Sequence, residues 1–376
     1  MSRRALPLLA LPFLALLVLT ACGEQRSAGG LDVASALGGE ASAGFARADR
    51  PRQFHFPEDH NAHPAFRNEW WYFTGQLAAP DGERFGYQVT FFRIALAPSS
   101  PPRTSAWATR QLWMAHAALT AIDAEQHWHR ERFARGALGL AGQQVEPFRV
   151  WLEDWALTGG DGGAFPWRLA IDAGDFALAL TLGPQREPLL QGDGGLSQKS
   201  AEPGNASYYY SITRLTTAGT LTVGGTQKPV SGLSWLDREW STSALGEGQA
   251  GWDWFSLQLA SGDDLMLYRL RRKDGSSDPH SAGMLLGADG RRRPLAADAF
   301  TLEPERWWRA DSGTRYPVAW RLRVPGEGLD LHVEAAVDDQ EMATAVRYWE
   351  GAVEVRNAGD GAAAGRGYLE MTGYDA

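Results

Sequence analysis

"FRNEWWYFTGQL", residues 66–77, poses the question on which the fold turns. Trp70, Trp71, Tyr72 and Phe73 stand in an unbroken row. Successive side chains of a strand point to opposite faces, so both faces here carry large rings. A strand with one solvated face alternates apolar and polar residues instead. The run predicts a strand buried on both sides, or one whose second face lines an apolar cavity. Trp70 and Tyr72 share one face; Glu69, Trp71 and Phe73 share the other. The expectation is that Glu69 and Trp71 form part of a polar-ended pocket wall, with Trp70 packed against a partner domain.

The pattern recurs. "WWYFTGQLAAPDG" from Trp70 matches "WDWFSLQLASG" from Trp252, pairing Trp70 with Trp252, Phe73 with Phe255, Gln76 with Gln258 and Leu77 with Leu259. Each copy runs into an alternating strand that ends in arginine. "RFGYQVTFFRIAL", "WRLAIDAGDFALALTL", "DLMLYRLRR", "LDLHVEAAV" and "WEGAVEVRN" alternate likewise, with Gly and Asp at the turns. No long amphipathic helix pattern interrupts them. A length of 376 residues suggests two domains. The fold class expected is all-β: two antiparallel β-barrels in tandem, the first over residues 51–244 and the second over 245–376. Barrels leave no strand edge unpaired, which makes them the economical closure.

Composition narrows the function. A net charge of −9 without any basic cluster excludes a nucleic-acid partner, which would need a basic face. The 16 tryptophans suit apolar-ligand pockets. At the N-terminus, Arg3 and Arg4 precede a short, proline-broken apolar stretch and then Leu19-Thr20-Ala21-Cys22. This reads as a lipoprotein signal over residues 1–22, with Cys22 as the lipidated residue. Residues 23–50 read as a flexible tether. The expected location is the cell envelope, anchored in a membrane and facing the periplasm. Gly23 after the cysteine favours the outer membrane. Cys22 is the only cysteine, so no disulfide or thiolate chemistry is available to the fold.

Several clusters carry candidate chemistry. In "FHFPEDHNAHPAFRNEWW", His55, His60 and His63 lie near Glu58 and Asp59. Their spacing fits no constrained ligand set, and the loop reads as one that packs over the barrel mouth and orders Glu69; no metal is expected. His127 and His129 read as strand-edge residues. His116 interrupts an apolar run and needs a buried partner or a role in ligand binding. The richest region is "NASYYYSITRL" (205–215) followed by "GLSWLDREWSTSALG" (232–246). Tyr208 and Tyr210 share a strand face, as do Trp235, Asp237 and Glu239. A carboxyl flanked by rings has its pKa raised by desolvation and can serve as a general acid. Alternatively, Asp237 or Glu239 pairs with Arg214 or Arg238 and staples the domains. No nucleophile elbow or phosphate loop is present.

"NEWWYFTGQL", "FGYQVTFFR", "SYYYSITRL", "SGLSWLDREW" and "GWDWFSLQL" together resemble the lipocalin-like AttH family, related to the carotenoid 1,2-hydratases. The resemblance runs from about Phe54 to Tyr374. It implies lipocalin-like barrels and an apolar ligand such as an isoprenoid lipid. The hydratase branch adds water across an isoprenoid double bond without a cofactor. It uses an aspartate with an aromatic residue two positions before it, matched here by Asp237 and Trp235. An upstream ring pair falls near Tyr208 and Tyr210, where the hydratases place a histidine and a tryptophan. The AttH branch is linked with ABC-transporter systems, which fits an exported chain. The leading expectation is therefore an envelope lipoprotein that binds a hydrophobic ligand beside an ABC-transporter permease. The alternative is a cofactor-independent hydratase or other hydrolase on an isoprenoid-like substrate, with Asp237 as general acid; a third reading is a purely structural interaction module.

Overall fold

The computed structural model describes residues 43–99, 104–242, 245–246 and 248–374. Cys22, the rest of the expected signal and most of the expected tether lie outside them. The tether does not reach residue 50, however. Ala48 is fully buried, Ala46 N donates to Ala65 O at 2.9 Å, and Thr242 Oγ1 donates to Ala46 O at 2.5 Å.

The first sheet contains β1 (Asn68–Ala78), β2 (Arg84–Ala95), β3 (Gln111–Ala121), β4 (Gln126–Arg135), β5 (Ala141–Gln144), β6 (Arg149–Leu152), β7 (Trp155–Thr158), β8 (Trp167–Asp172), β9 (Phe176–Pro184), β10 (Leu189–Leu190), β11 (Leu196–Gln198), β12 (Ala206–Val223) and β13 (Thr226–Ser241). The second contains β14 (Gln249–Leu259), β15 (Asp264–Arg272), β16 (Ala282–Leu286), β17 (Arg292–Ala296), β18 (Thr301–Arg309), β19 (Arg315–Val324), β20 (Leu329–Ala335), β21 (Glu341–Met342), β22 (Tyr348–Asn357) and β23 (Ala363–Thr372). All the pairings are antiparallel, and no α-helix occurs among the described residues. Each sheet curls around its own apolar core, giving the two barrels that the alternating pattern predicts.

The repeat is structural. In each barrel the first strand lies between the second and the last: β1 pairs with β2 and β13, and β14 with β15 and β23. Tyr72 sits opposite Thr90 and Asp237; its repeat partner Trp254 sits opposite Tyr268 and Glu370. The two barrels therefore present equivalent faces to each other.

Each central strand buries both of its faces. Trp71, Phe73 and Trp240 fill the interior of the first barrel, with Tyr87, Phe91 and Trp113. The second interior holds Phe255, Leu257, Trp320, Trp349 and Leu369. On the outward faces, Tyr72, Tyr209 and Trp235 of the first barrel pack with Trp254, Tyr268 and Tyr368 of the second. The repeated glutamines staple this interface reciprocally. Gln76 Nε2 donates to Val353 O at 3.0 Å and Gly367 O at 2.8 Å. Gln258 Nε2 donates to Thr213 O at 2.7 Å and Ser234 O at 3.2 Å. Such exchange is the mark of a two-fold interface, here between halves of one chain. Arg214 adds a further tie, its Nε donating to Asp264 Oδ1 at 2.8 Å. Gly86 marks a close approach of the barrels: a Cβ there would stand 2.7 Å from Ala352 Cβ and 2.9 Å from the Tyr368 hydroxyl.

Candidate active site

Where the barrel faces diverge, a cavity of about 270 Å³ opens between them. Its walls are rings: Trp70, Tyr72, Phe92 and Tyr209 from the first barrel, and Trp252, Trp254, Tyr268 and Tyr348 from the second. Among them stand the titratable groups His116, Lys199, Asp237, Glu239, Glu350 and Glu370.

Asp237 occupies β13 opposite Tyr72, and alternation turns it, with Trp235 and Glu239, toward the second barrel. Its Oδ1 accepts hydrogen bonds from Ser211 Oγ at 2.5 Å and Trp235 Nε1 at 2.7 Å. Its Oδ2 accepts one from the Tyr209 hydroxyl, which itself accepts from Trp254 Nε1 at 3.1 Å. A carboxylate has about four lone-pair sites. Three are taken, so a proton on this group is confined to the remaining site on Oδ2. Burial raises the pKa to about 7; the three hydrogen bonds oppose that rise and the charge of Glu239 adds to it.

Glu370 is the repeat counterpart of Asp237. Burial lifts its pKa to about 8, against the lowering effect of a hydrogen bond from Trp252 Nε1 at 3.1 Å. Glu350, opposite it on β22, accepts a hydrogen bond from the Tyr72 hydroxyl and is pushed well above the carboxylate range, first by burial and then by Glu370. Glu239 is held differently: it accepts from Ser207 Oγ and pairs with Lys199 Nζ at 3.3 Å. Burial opposes the charge on Lys199, but Glu239, Tyr268 and Asp237 together outweigh it and hold the pKa above its ordinary value. The ammonium lies 4.3 Å from the centre of the Tyr268 ring and 5.4 Å from that of Tyr209. His116 bridges Tyr348 OH (Nδ1, 2.7 Å) and Glu131 Oε1 (Nε2, 2.9 Å).

The structure thus gathers Asp237, Trp235, Glu239 and His116 at one site. Four other expected site residues lie elsewhere. Glu69 and Trp71 point into the first barrel. Glu69 is buried with Arg93 and with Arg238, whose Nη2 donates to it at 3.0 Å. Burial would raise its pKa, but Arg93, the His63 hydrogen bond and Arg238 hold it far below the usual range. Arg238 is therefore engaged inside the barrel and does not pair with Asp237 or Glu239. Trp71 Nε1 donates to His60 O at 3.0 Å. The assignment of faces on β1 is thus reversed from expectation: Trp70 and Tyr72 line the cavity. Tyr208 and Tyr210 are also turned inward. Tyr208 OH donates to Arg50 O at 2.9 Å, and Tyr210 OH is bonded to His60 Nδ1 at 2.6 Å. The β12–β13 register sets Ser211 opposite Asp237 and Tyr209 opposite Glu239, so Ser207, Tyr209 and Ser211, ahead of the bulge between Ile212 and Leu215, face the acid.

The histidine-rich loop closes the mouth of the first barrel. His63 N donates to both Glu69 oxygens at 3.0 Å, and the His63 ring stacks on Trp240 at 3.7 Å. Among the described residues, no group of His, Cys, Asp and Glu side chains is arranged to hold a metal. His127 is half-buried on β4 and bonded to Thr120.

Sequence reasoning missed Tyr209, Lys199, Glu350 and Glu370. Glu350 and Glu370 carried the signal that found Asp237, an acid two residues from a ring on an alternating strand: Tyr348-x-Glu350 and Tyr368-x-Glu370.

Two barrels joined face to face around a cavity rich in rings and acids define a class that comparison with known proteins identifies. The AttH-like family profile matches residues 47–374. A Nitrosomonas europaea protein assigned to AttH has a crystal structure that superposes with a TM-score of 0.77, at 37% identity, over 88% of this chain and all of that one. The kievitone hydratase of Nectria haematococca shares the fold, with a TM-score of 0.67 at 13% identity over 88% of this chain and 97% of that one. In sequence, a kievitone hydratase of Fusarium solani subsp. phaseoli is 23% identical over 140 residues, 36% of this chain and 39% of that relative's length. The chain belongs to the AttH-like family.

Proposed function

We propose that the protein is a cofactor-independent hydratase that adds water to an isoprenoid double bond in the inter-barrel cavity. The observation that carries this reading is Asp237: a buried carboxyl in an aromatic cavity, with one oxygen site left for a transferable proton and a pKa of about 7. Asp237 Oδ2 gives its proton to the less substituted alkene carbon. The positive charge that forms on the tertiary carbon is stabilised by the faces of Trp70, Tyr72 and Trp254. Water then adds to that carbon, and the proton it sheds restores the balance. The local match to a kievitone hydratase supports hydration chemistry. A carrier without chemistry has no need of three buried carboxyls with raised pKa values in its ligand cavity. The hydratase alternative therefore displaces the ligand carrier as the leading reading. Export and lipid anchoring at Cys22 in the envelope remain part of the proposal, and Cys22→Ser is expected to release the protein from membranes.

The test incubates the purified chain with prenylated phenols and acyclic isoprenoids in heavy-oxygen water. A tertiary alcohol carrying the heavy isotope, absent with Asp237→Asn, is the expected product. Unmodified substrates throughout, with binding intact, would leave a binding protein in place of an enzyme.

A further inference from the structure

Hydration has two halves, delivery of a proton and capture of the cation by water, and Asp237 accounts only for the first. Its three hydrogen bonds leave little capacity to hold a water as well. The second barrel offers a carboxyl of the opposite kind. Glu350 is 1% exposed and lines the cavity; its Oε1 accepts from Tyr72, and its Oε2 is buried with no hydrogen-bond partner. An unpartnered buried carboxyl oxygen on a residue that lines the cavity is a place for a donor from the ligand side, and water is the donor this reaction requires.

A route also leads outward from this carboxyl. The Tyr348 hydroxyl lies close enough to Glu350 for each to alter the other's ionisation, and it is bonded to His116 at 2.7 Å. His116 is bonded to Glu131 at 2.9 Å, and Glu131 reaches the edge strand β4 with 18% of its side chain exposed. No other buried acid of the cavity has a comparable chain of partners. Glu239 ends on Lys199 and Ser207, and Asp237 on its three donors.

Building on the hydratase reading, we propose that Glu350 is a second catalytic residue, holding the attacking water at Oε2 and passing its proton through Tyr348 and His116 to Glu131. The balance is complete. A C–H bond forms with the proton of Asp237, and a C–O bond forms with the water held by Glu350. The resulting oxonium loses one proton along the relay to Glu131, which releases it to solvent through its exposed edge, and Asp237 recovers one from solvent as product leaves. Burial and the neighbouring Glu370 push the Glu350 pKa well above the carboxylate range and so favour its neutral form. In its neutral form Glu350 competes less with the water for the cation than a carboxylate at the same place would.

The experiment separates the two halves in deuterium oxide, following alcohol formation and deuterium uptake into recovered alkene. Asp237→Asn is expected to abolish both. Glu350→Gln is expected to lower alcohol formation roughly tenfold or more while deuterium still enters the alkene, because the cation forms and then loses a proton instead of gaining water. Glu131→Gln, at the outer end of the relay, is expected to slow alcohol formation in the same sense and guards against a misfolded Glu350 variant. If Glu350→Gln folds and hydrates like the parent, or loses both activities as Asp237→Asn does, the role assigned to Glu350 is wrong. If the parent chain forms neither alcohol nor deuterated alkene, it is the hydratase reading itself that fails.

Discussion

At the scale of single residues, Asp237 and Glu69 show how surroundings divide two buried acids. Glu69 has two guanidinium partners and is ionised; Asp237 has only neutral donors and keeps its proton up to about pH 7. General acid catalysis typically contributes about 10²–10⁴-fold, so Asp237→Asn should reduce hydration by that order. Because the protonated form is the active one, kcat should be level below about pH 7 and fall above it. A stability effect accompanies this. The folded-state pKa of Asp237 lies above its ordinary value of 3.8, and that of Glu370 above 4.5. From those values up to about 7 and about 8, the folded chain holds protons that the unfolded chain has released, so stability falls as pH rises through that window. Melting temperatures from about pH 5 to about pH 9 should fall less steeply in Asp237→Asn than in the parent. This much was legible in the sequence, because an acid alternating with rings predicts desolvation whatever surrounds it. Glu69 alternates with rings in the same way and was misread. Its partners, Arg93 and Arg238, come from other strands, and only the register brings them together.

At the scale of elements, the four rings of β1 establish that both strand faces are buried, but not what covers each. Period-two alternation separates Trp70 and Tyr72 from Trp71 and Phe73 without saying which pair points inside the barrel. The same ambiguity exchanged Tyr209 for Tyr208 and Tyr210 on β12, since a change of one residue exchanges the faces. With the faces known, Trp71→Ala should destabilise the chain by about 3–5 kcal/mol, the usual cost of emptying a packed core site. Trp70→Ala should weaken ligand binding more than stability. Denaturant titration beside ligand quenching of tryptophan fluorescence distinguishes them, and the reverse ranking would return the pocket to the barrel interior.

At the scale of the whole molecule, the internal repeat made two barrels legible, and its matched glutamines turn out to hold the halves together. Their partners are backbone carbonyls of the other barrel, which carry no signal in a side-chain pattern. That explains why a site between the barrels was not foreseen although the barrels were. Gln76→Ala and Gln258→Ala each strand buried carbonyls and should each cost about 1–3 kcal/mol. Because each contributes one side of the interface, both should also lower hydration, a loss that calorimetry and the alcohol assay would register together. The site belongs to neither barrel alone: Asp237 comes from the first, Glu350 and Glu370 from the second, and the rings from both.

The most direct test of this arrangement is a crystal structure of Asp237→Asn with an unreacted prenylated phenol. The double bond should lie between the barrels, within about 3.5 Å of the side chain at position 237, with Trp70, Tyr72 and Trp254 around it. A ligand inside the first barrel, against Trp71 and Glu69, would contradict the site and the chemistry drawn from it.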